Sequence, residues 1–353
     1  MTQPTTALVV GTRPQLIKAA FLQASHRARG GFDLRLIDTN QHYDDDLASE
    51  SVTGLGDDRL RLTMHEPATA SRIDRLVGAL RPVLEATSAD LVAVIGDTNS
   101  TTAATLVAAE LGQRCVHIEA GLRSFDRRMP EERNRLIADH LCERLYAPSD
   151  VAMAHLGHEG LADRAILTGD LTYDLTLAHL ATQPTPQSAG AAPLVLATIH
   201  RPANVDINTR FLEVANLLEQ VARTGANVVF PAHPRVTERY DLRTLCPSID
   251  IRPPMGHAEL LQTIRSARLV VTDSGGVQRE SFWLGRRCVT LRPETEWVET
   301  VELGFNNLAE PQDVGTVLAV LESCEQEPFT PPPVYGTGNA AQLILDDMAA
   351  LLA

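Results

Sequence analysis

Long apolar runs, paired cysteines and lysine are scarce in this sequence. No apolar run approaches the roughly 20 residues that a membrane helix needs, so we expect no membrane span. Residues 1–6 are polar and lead directly into a strand-like run, which is not the pattern of a signal peptide. The five cysteines are scattered and form no CxxC pair, which predicts reduced, mostly structural thiols and a cytoplasmic protein.

Basic residues are also few, and they are almost all arginine. The chain has 31 basic and 45 acidic residues, for a formal charge of -14. Such a chain repels nucleic acid and anionic membranes, so we expect neither as a partner, and a phosphate-bearing ligand needs a local basic pocket. Lys18 is the one lysine. One interpretation is that Lys18 has a specific role that an arginine could not fill. The alternative is that a lysine stands at this position by chance.

The remaining composition is that of a globular protein with two domains. Its 353 residues include 44% hydrophobic and 22% charged residues. Strand-like runs alternate with helical segments up to about residue 181, stop at a polar linker over 182–190, and then restart. This alternation predicts an α/β fold with two doubly wound, Rossmann-like domains, 1–181 and 191–338, followed by a helix over about 339–353.

Polar residues collect where the predicted strands end. The strand runs are 7–10, 34–37, 91–95, 115–118, 194–198, 228–231, 269–272 and 288–291. The polar clusters are 11–14, 96–100, 119–123, 200–204, 233–235 and 273–276. Because doubly wound sheets bind ligands beyond the carboxyl ends of their strands, these clusters are the candidate site.

Two of these clusters suit a phosphate. Small residues at Ser274, Gly275 and Gly276 precede a helix and let backbone N–H groups approach an anion, and Glu280 could accept hydrogen bonds from ribose hydroxyls. Arg13, with Lys18, could meet a diphosphate. A tight turn and a helix-start salt bridge are the alternatives for the glycines and for Arg13. A Walker A loop and GxGxxG are both absent, which disfavours ATP and NAD.

Carboxylates near a histidine suggest acid/base chemistry. Glu119 follows an apolar strand and should point into the cleft, where His200 could supply a second titrating group. The rest of the charged run up to Arg135 resembles a solvated face, and His117 a core histidine. Three acidic residues at 44–46 lack ligand spacing and predict a helix start, so we expect no metal.

Taken together, the clusters resemble the non-hydrolysing UDP-N-acetylglucosamine 2-epimerases. The resemblance covers residues 11 to about 308. It rests on motifs at 11–18, 41–42, 96–98, 117–123, 130–135, 200–204 and 273–280. It implies the GT-B-like architecture of two Rossmann-like domains with an interdomain cleft, a C-terminal helix that returns to the first domain, and a homodimer.

The resemblance also implies residue roles. The acid/base candidates are Asp97, Glu119, Glu131 and His200. The nucleotide contacts are Arg13, Ser274, Gly275, Gly276 and Glu280; Lys18 and Arg135 lie near the active site, and we add His233 from its strand end to the binding set. A base would remove the C2 proton, UDP would leave by C–O cleavage to give a glycal, and UDP would add back after reprotonation on the other face. No cofactor or metal is implied.

Some positions favour one branch, the UDP-2,3-diacetamido-2,3-dideoxyglucuronate 2-epimerases. They are Gln15, 41–45, 123–130, 169–174 and 294–299. Three alternatives stay open: a relative that hydrolyses the sugar nucleotide or forms another glycosyl or nucleoside product, a GT-B glycosyltransferase, and a non-catalytic nucleotide-sugar sensor. The sugar substituents at C3 and C6 are not determined by these motifs.

Overall fold

The computed structural model describes residues 3–40, 60–62, 73–182, 192–325 and 327–353. The chain divides into two compact units, the first made of Met1–Ala178 and Pro333–Ala353 and the second of His179–Pro332. The first unit therefore takes in residues 333–338 as well as the C-terminal helix. The motif at 41–45, the acidic run at 44–46 and all but Thr182 of the expected linker lie outside the described residues.

Parallel strands form the sheet of the first unit, in the order β3-β2-β1-β4-β5-β6-β7. Their bounds are β1 Thr5–Val10, β2 Asp33–Asp38, β3 Leu60–Arg61, β4 Leu91–Ile95, β5 Arg114–Ile118, β6 Arg144–Ala147 and β7 Ala165–Leu167. Every residue of β4 is buried, because helices cover both faces of such a sheet and its central strands are continuous apolar runs.

The helices of this unit follow the strands in turn. They are α1 Arg13–Arg29, α2 Ile73–Thr87, α3 Asn99–Leu111, α4 Pro130–Leu141, α5 Asp150–His158 and α6 Leu171–Ala181, with a short 3₁₀ helix at Ala162–Arg164. Proline near the first position favours the start of α1 and of α4, where a missing N–H costs nothing. Side-chain caps from Thr98 and Ser149 fix the starts of α3 and α5.

A second parallel sheet, in the order β10-β9-β8-β11-β12-β13, forms the second unit. Its strands are β8 Leu194–Thr198, β9 Asn227–Pro231, β10 Asp250–Arg252, β11 Leu269–Thr272, β12 Arg287–Thr290 and β13 Asn306–Leu308. Its helices are α7 Pro202–Val205, α8 Asn208–Arg223, α9 Pro234–Thr237, α10 Leu242–Leu245, α11 His257–Ser266, α12 Gly275–Trp283, α13 Val298–Glu302 and α14 Val314–Ser323. The predicted α/β class with two doubly wound sheets is confirmed.

Each sheet has a point at which the strand order reverses. It lies between β1 and β4 in the first sheet and between β8 and β11 in the second. The connections that leave the strands on either side of this point run to opposite faces, so a crevice opens at the carboxyl edge, where ligands bind in such folds. Loops 11–12 and 96–98 lie at the first point, and loops 199–201 and 273–274 at the second.

The last helix, α15 Ala340–Leu352, belongs to the first unit. Ile344, Leu345 and Met348 are buried in the same apolar cluster as Leu16 and Leu22 of α1. At its start, the Ala341 N–H donates to Asp174 Oδ2 at 2.8 Å, which satisfies one of the open donors of a helix N-terminus. Within the described ranges, no helix has both the length and the apolar character needed to cross a membrane.

Candidate functional site

Glu119 is the first residue after β5 and has a left-handed backbone, with φ of +72°. Non-glycine residues rarely adopt this conformation, and such strain concentrates at functional positions. Its carboxylate forms an ion pair with the Lys18 ammonium of α1, and the two side chains are only 12% and 11% exposed. A small pocket next to the pair is also lined by Gly169 and Asp170. The single lysine of the chain thus pairs with the carboxylate of Glu119, a residue with a strained backbone at the end of β5.

Asp97 lies in the neighbouring loop, after β4. A Cβ atom built on Gly96 would lie 3.4 Å from Glu119 Oε2, so the Glu119 carboxylate lies next to this loop. Arg135 of α4 donates from Nη2 to Asp97 Oδ2 at 2.5 Å, and the Asn134 side-chain amide donates to the Asp97 carbonyl at 2.9 Å. The Asp97 side chain is 32% exposed and that of Arg135 only 6%. A buried guanidinium therefore holds one side of Asp97 and leaves the carboxylate accessible.

The two adjacent glutamates at the start of α4 differ in environment. Glu131 is exposed, and no hydrogen bond or ion pair joins it to another residue of the described chain. Glu132 is buried and accepts hydrogen bonds from the Ser124 and Phe125 N–H groups, at 2.8 and 3.1 Å, and from Arg135 Nη1 at 3.1 Å. Glu132 is thus a structural group, whereas Glu131 remains free to meet a ligand.

Behind both loops lies a buried ionic cluster centred on Asp139 of α4. His117 Nδ1 lies 2.6 Å from Asp139 Oδ1, and His117 Nε2 lies 2.8 Å from the Gly96 carbonyl. The ring therefore bridges a buried carboxylate and a backbone carbonyl, both of which are hydrogen-bond acceptors. Asp139 Oδ2 accepts from the Gly121 N–H at 3.1 Å and pairs with Arg123 at 2.7 Å. The cluster therefore fixes the backbone next to Asp97 and the backbone just after Glu119.

Charges in this cluster compensate for burial. Burial alone would raise the pKa of Asp139, but the charges of His117 and Arg123 outweigh it and hold that pKa below its usual value. Arg123 is in turn bound by both carboxylate oxygens of Glu159, each at 2.7 Å. The interpretation of His117 as a satisfied core histidine is confirmed, and its partner Asp139 has no local signal in the sequence.

Gln15 connects the loops after β1 and β4. Its Oε1 accepts from the Gly11 N–H at 2.8 Å and the Thr12 N–H at 3.2 Å, while its Nε2 donates to the Ile95 carbonyl at 2.6 Å and to Thr98 Oγ1 at 2.9 Å. This use of both ends of the amide explains glutamine rather than glutamate at position 15.

Replacing Gln15 with glutamate is expected to destabilise the protein by about 1–3 kcal/mol, because a carboxylate oxygen would face the Ile95 carbonyl with no hydrogen to donate. The loss should be smaller at low pH, where the acid can donate. Thermal unfolding measures it, and Gln220→Glu on the exposed face of α8 is the matched control, expected within about 0.5 kcal/mol of the original protein. Equal melting temperatures for the two variants would contradict this role.

Arg13 is the first residue of α1 and is partly exposed. It forms no hydrogen bond or ion pair within the part of the chain that the structure describes. A guanidinium without an internal partner, at a helix N-terminus where N–H groups also point outward, suits an anion. Lys18 differs, because its ammonium is already occupied by Glu119.

In the second unit, Asp273 organises the loop that carries His200. Asp273 is fully buried after β11 and accepts from the His200 N–H at 3.1 Å, the Arg201 N–H at 2.9 Å and Asn204 Nδ2 at 3.0 Å. His200 Nδ1 lies 3.3 Å from Asp273 Oδ1, and half of the imidazole is exposed. Asp273, at the end of β11, therefore positions His200, which follows the neighbouring strand β8.

The pKa of His200 lies below its usual value. Desolvation lowers it most, Asp273 acts in the opposite direction, and the positive charges of Arg201 and His233 lower it further. His233 begins α9, is exposed, and accepts from the Arg235 N–H through Nδ1 at 3.2 Å. The lowered pKa favours the neutral imidazole, which is able to accept a proton.

An NMR titration of the histidine Cε1–H signals tests this assignment, with His200→Asn to identify the resonance. The His200 midpoint should lie below 6.5 and should rise in His233→Asn, which removes a like charge. A midpoint above 6.5 that is insensitive to His233 would contradict the electrostatic account of this loop.

The N-terminus of α12 carries the predicted phosphate cluster. Ser274 caps the helix by accepting from the Val277 N–H, and a Cβ on Gly276 would lie 3.9 Å from Ser274 Oγ. A Cβ on Gly275 would lie 3.0 Å from Glu296 Oε1, so that glycine also makes room for the protein's own carboxylate. Farther along the helix, the buried Glu280 lies 2.8 Å from His257 Nε2 through its Oε1.

The structure thus brings some of the predicted residues into contact and leaves others apart. In the first unit Lys18 pairs with Glu119 and Arg135 with Asp97, whereas Arg13 and Glu131 have no hydrogen-bond or ion-pair partner in the part of the chain that the structure describes. In the second unit the charge of His233 lowers the pKa of His200. Ser274 caps the helix that begins at Gly275 and also carries Gly276 and Glu280. Within the described ranges, no three His, Cys, Asp or Glu side chains lie close enough to hold a metal ion.

Comparison with known proteins identifies the family. The family model described as UDP-N-acetylglucosamine 2-epimerase matches residues 24–349. A UDP-2,3-diacetamido-2,3-dideoxy-D-glucuronate 2-epimerase of Pseudomonas aeruginosa is 35% identical over 353 residues, covering 97% of this chain and 99% of that protein. A UDP-N-acetylglucosamine 2-epimerase of Methanocaldococcus jannaschii is 33% identical over 321 residues, covering 86% and 87%.

Solved structures agree with this match. The crystal structure of Methanocaldococcus jannaschii UDP-GlcNAc 2-epimerase in complex with UDP-GlcNAc and UDP has a TM-score of 0.84 at 30% identity and covers 98% of this chain and 99% of that one. The chain belongs to the UDP-N-acetylglucosamine 2-epimerase family. The resemblance inferred from the sequence motifs and the GT-B-like fold class are thereby confirmed.

Proposed function

We propose that this protein epimerises C2 of a UDP-linked 2-acetamido sugar by eliminating UDP and adding it back. Family membership supports the reaction class. The observation that carries it furthest is the pair of loops at the carboxyl edge of the first sheet, where the strained Glu119 lies next to Gly96 and the accessible Asp97 follows. Two carboxylates on neighbouring loops, one paired with Lys18 and the other with Arg135, place two candidate acid/base groups at one edge of the sheet, as proton removal and return require.

In this mechanism Asp97, Glu119, Glu131 and His200 form the acid/base set. A base takes the C2 proton, the C1–O bond breaks, and UDP departs with the bonding electrons to leave a glycal. An acid then returns a proton to C2 from the other face, and UDP re-forms the C1–O bond. Because the departing group is a dianion or trianion, it needs strong cationic and helix N-terminal contacts.

The binding set serves that leaving group. Arg13 has no hydrogen-bond or ion-pair partner among the described residues, and the N-terminus of α12 offers Ser274, Gly275 and Gly276, so these residues are the proposed diphosphate contacts. Glu280 would accept from the ribose hydroxyls, which requires His257 to share or release it. Lys18, Arg135 and His233 complete the set. Homodimer formation and a cytoplasmic location stay as predictions beside it.

The sugar itself has two candidates. The 35% identity to the Pseudomonas aeruginosa enzyme over nearly the whole chain, together with Gln15, favours a diacetamido-uronate. The family description and the Methanocaldococcus jannaschii relative favour UDP-N-acetylglucosamine. Both share the 2-acetamido group and the UDP leaving group, so the proposed chemistry at C2 is the same.

Incubation of each UDP-sugar in D2O tests the proposal. Epimerisation places deuterium at C2 of both epimers, and the preferred sugar is the one that exchanges faster. Absence of exchange with both substrates would contradict the proposal. Accumulation of free UDP and sugar would instead indicate a hydrolase, and turnover that requires an added acceptor would indicate a glycosyltransferase.

A further inference from the structure

A nearly buried ion pair lies beside the proposed phosphate site of the second unit and was not among the predicted binding residues. Arg292 follows β12 and donates from Nη2 to Glu296 Oε2 at 2.9 Å. The side chains are 7% and 11% exposed. Pairs as buried as this one are sensitive to loss of either partner, because the remaining charge stays desolvated.

The carboxylate of this pair lies against the first turn of α12. Glu296 Oε1 is 3.0 Å from the position that a Gly275 Cβ would occupy, and the Trp297 indole nitrogen is 3.5 Å from it. The Arg279 guanidinium stacks on the Trp297 ring, 3.7 Å from its centroid, which holds the indole in place. The protein therefore places one of its own anions at the helix N-terminus, where anions are favoured.

Arg292 has more donor capacity than this carboxylate uses. The residue is only 6% exposed, and its Nη1 is buried without a hydrogen-bond partner among the described residues. A guanidinium presents its donors as a planar fork that fits the oxygens of a phosphate group, and buried donors are rarely left unused without a functional reason. The open nitrogen points to an acceptor other than Glu296.

We infer that Arg292 is a diphosphate-binding residue and that Glu296 is a resident anion which the diphosphate displaces from it. The inference rests on the proposed function only in taking the N-terminus of α12 as the nucleotide site. A diphosphate that docks on residues 274–276 brings negative charge next to Glu296. Repulsion between the two anions then turns the Glu296 carboxylate away, and the Arg292 guanidinium binds the phosphate in its place. The N-terminus of α12 has an anion next to it both before and after this exchange.

Equilibrium binding of UDP and of uridine to the full-length protein tests this exchange. Arg292→Gln should weaken UDP binding roughly 10- to 100-fold, the range of a charge-assisted hydrogen bond, and leave uridine binding unchanged because uridine has no phosphate. Glu296→Gln should tighten UDP binding about three- to tenfold, because the competing anion is gone. Arg292→Lys should be intermediate, since an ammonium keeps the charge but not the fork.

Arg252→Gln is the matched control, because Arg252 makes an exposed ion pair with Asp250 on β10, and it should bind both ligands like the original protein. If Glu296→Gln weakens UDP binding, Glu296 is a direct ligand contact and the exchange is wrong. If Arg292→Gln weakens the binding of UDP and of uridine equally, Arg292 has only a structural role and the inference is wrong. If Arg292→Gln does not fold, Glu296→Gln still tests the exchange. An original protein that binds no UDP would instead remove the proposed nucleotide site.

Discussion

Replacing Glu119 with glutamine is expected to lower kcat for C2 epimerisation about a thousandfold, within the range seen when a general acid or base is removed. Glutamine keeps the shape of the side chain but cannot take or return a proton. The substrate KM should change much less than kcat, since Glu119 itself is not one of the proposed diphosphate contacts. Initial rates with the preferred UDP-sugar, measured together with deuterium exchange at C2, give both parameters.

The control for this variant is Glu110→Gln, because Glu110 forms an exposed ion pair with Arg81 on the helical surface of the same unit. That variant should retain the original rate, and both should have far-ultraviolet spectra of the folded protein. The Glu119 variant also leaves the nearly buried Lys18 without its charged partner, so its melting temperature has to be compared with that of the control. A kcat within a factor of five of the original would remove Glu119 from the acid/base set.

Replacing Asp139 with alanine is expected to cost about 3–5 kcal/mol of stability, because it leaves the Arg123 guanidinium and the His117 ring buried without their shared partner. For a unit of this size the loss corresponds to a fall in Tm on the order of 10 °C. Activity should also fall, since His117 holds the Gly96 carbonyl and Asp139 holds the Gly121 N–H. Calorimetry and the exchange assay measure the two effects.

The pH dependence of this variant follows from the lowered pKa of Asp139. A carboxyl whose pKa is lower in the folded state stabilises the protein above its unfolded pKa, about 4, and loses that contribution as the pH falls through the folded value. The gap between the original protein and Asp139→Ala should therefore shrink below about pH 4. Asp346→Ala, which removes an exposed partner of Arg29, should cost less than about 1 kcal/mol at every pH. Matching losses for the two variants would contradict the buried cluster.

The central strands of both sheets were predictable, and the short edge strands were not. Runs such as 91–95 and 269–272 are continuously apolar because helices cover both faces, and this pattern survives in the sequence. The edge strands β10 and β13 have the sequences Asp-Ile-Arg and Asn-Asn-Leu, with three residues each and no apolar run. These strands form because they pair with neighbouring strands of the sheet, so no local sequence pattern could predict them.

The candidate site divides in the same way. Residues that follow a strand, such as Glu119 and His200, were found because a polar group after an apolar run is visible in the local sequence. Asp139 acts through His117, which is distant in sequence, and Arg292 acts through a loop that packs on the start of α12. In the sequence alone, neither can be distinguished from an ordinary charged surface residue. Gln15 was one of the positions that favour one branch of the family, but only its hydrogen bonds to the loops after β1 and β4 explain the amide.

Breakage of the C1–O bond is the central step of the proposed reaction, and positional isotope exchange measures it most directly. A UDP-sugar labelled with ¹⁸O in the bond from C1 to the β-phosphate is incubated with the protein in D2O, and the recovered substrate is analysed by NMR. Elimination and re-addition predict that ¹⁸O moves from the bridging to the non-bridging β-phosphate positions in the same molecules that gain deuterium at C2. Deuterium at C2 with the label still in the bridge would show that UDP never leaves, and would contradict the mechanism.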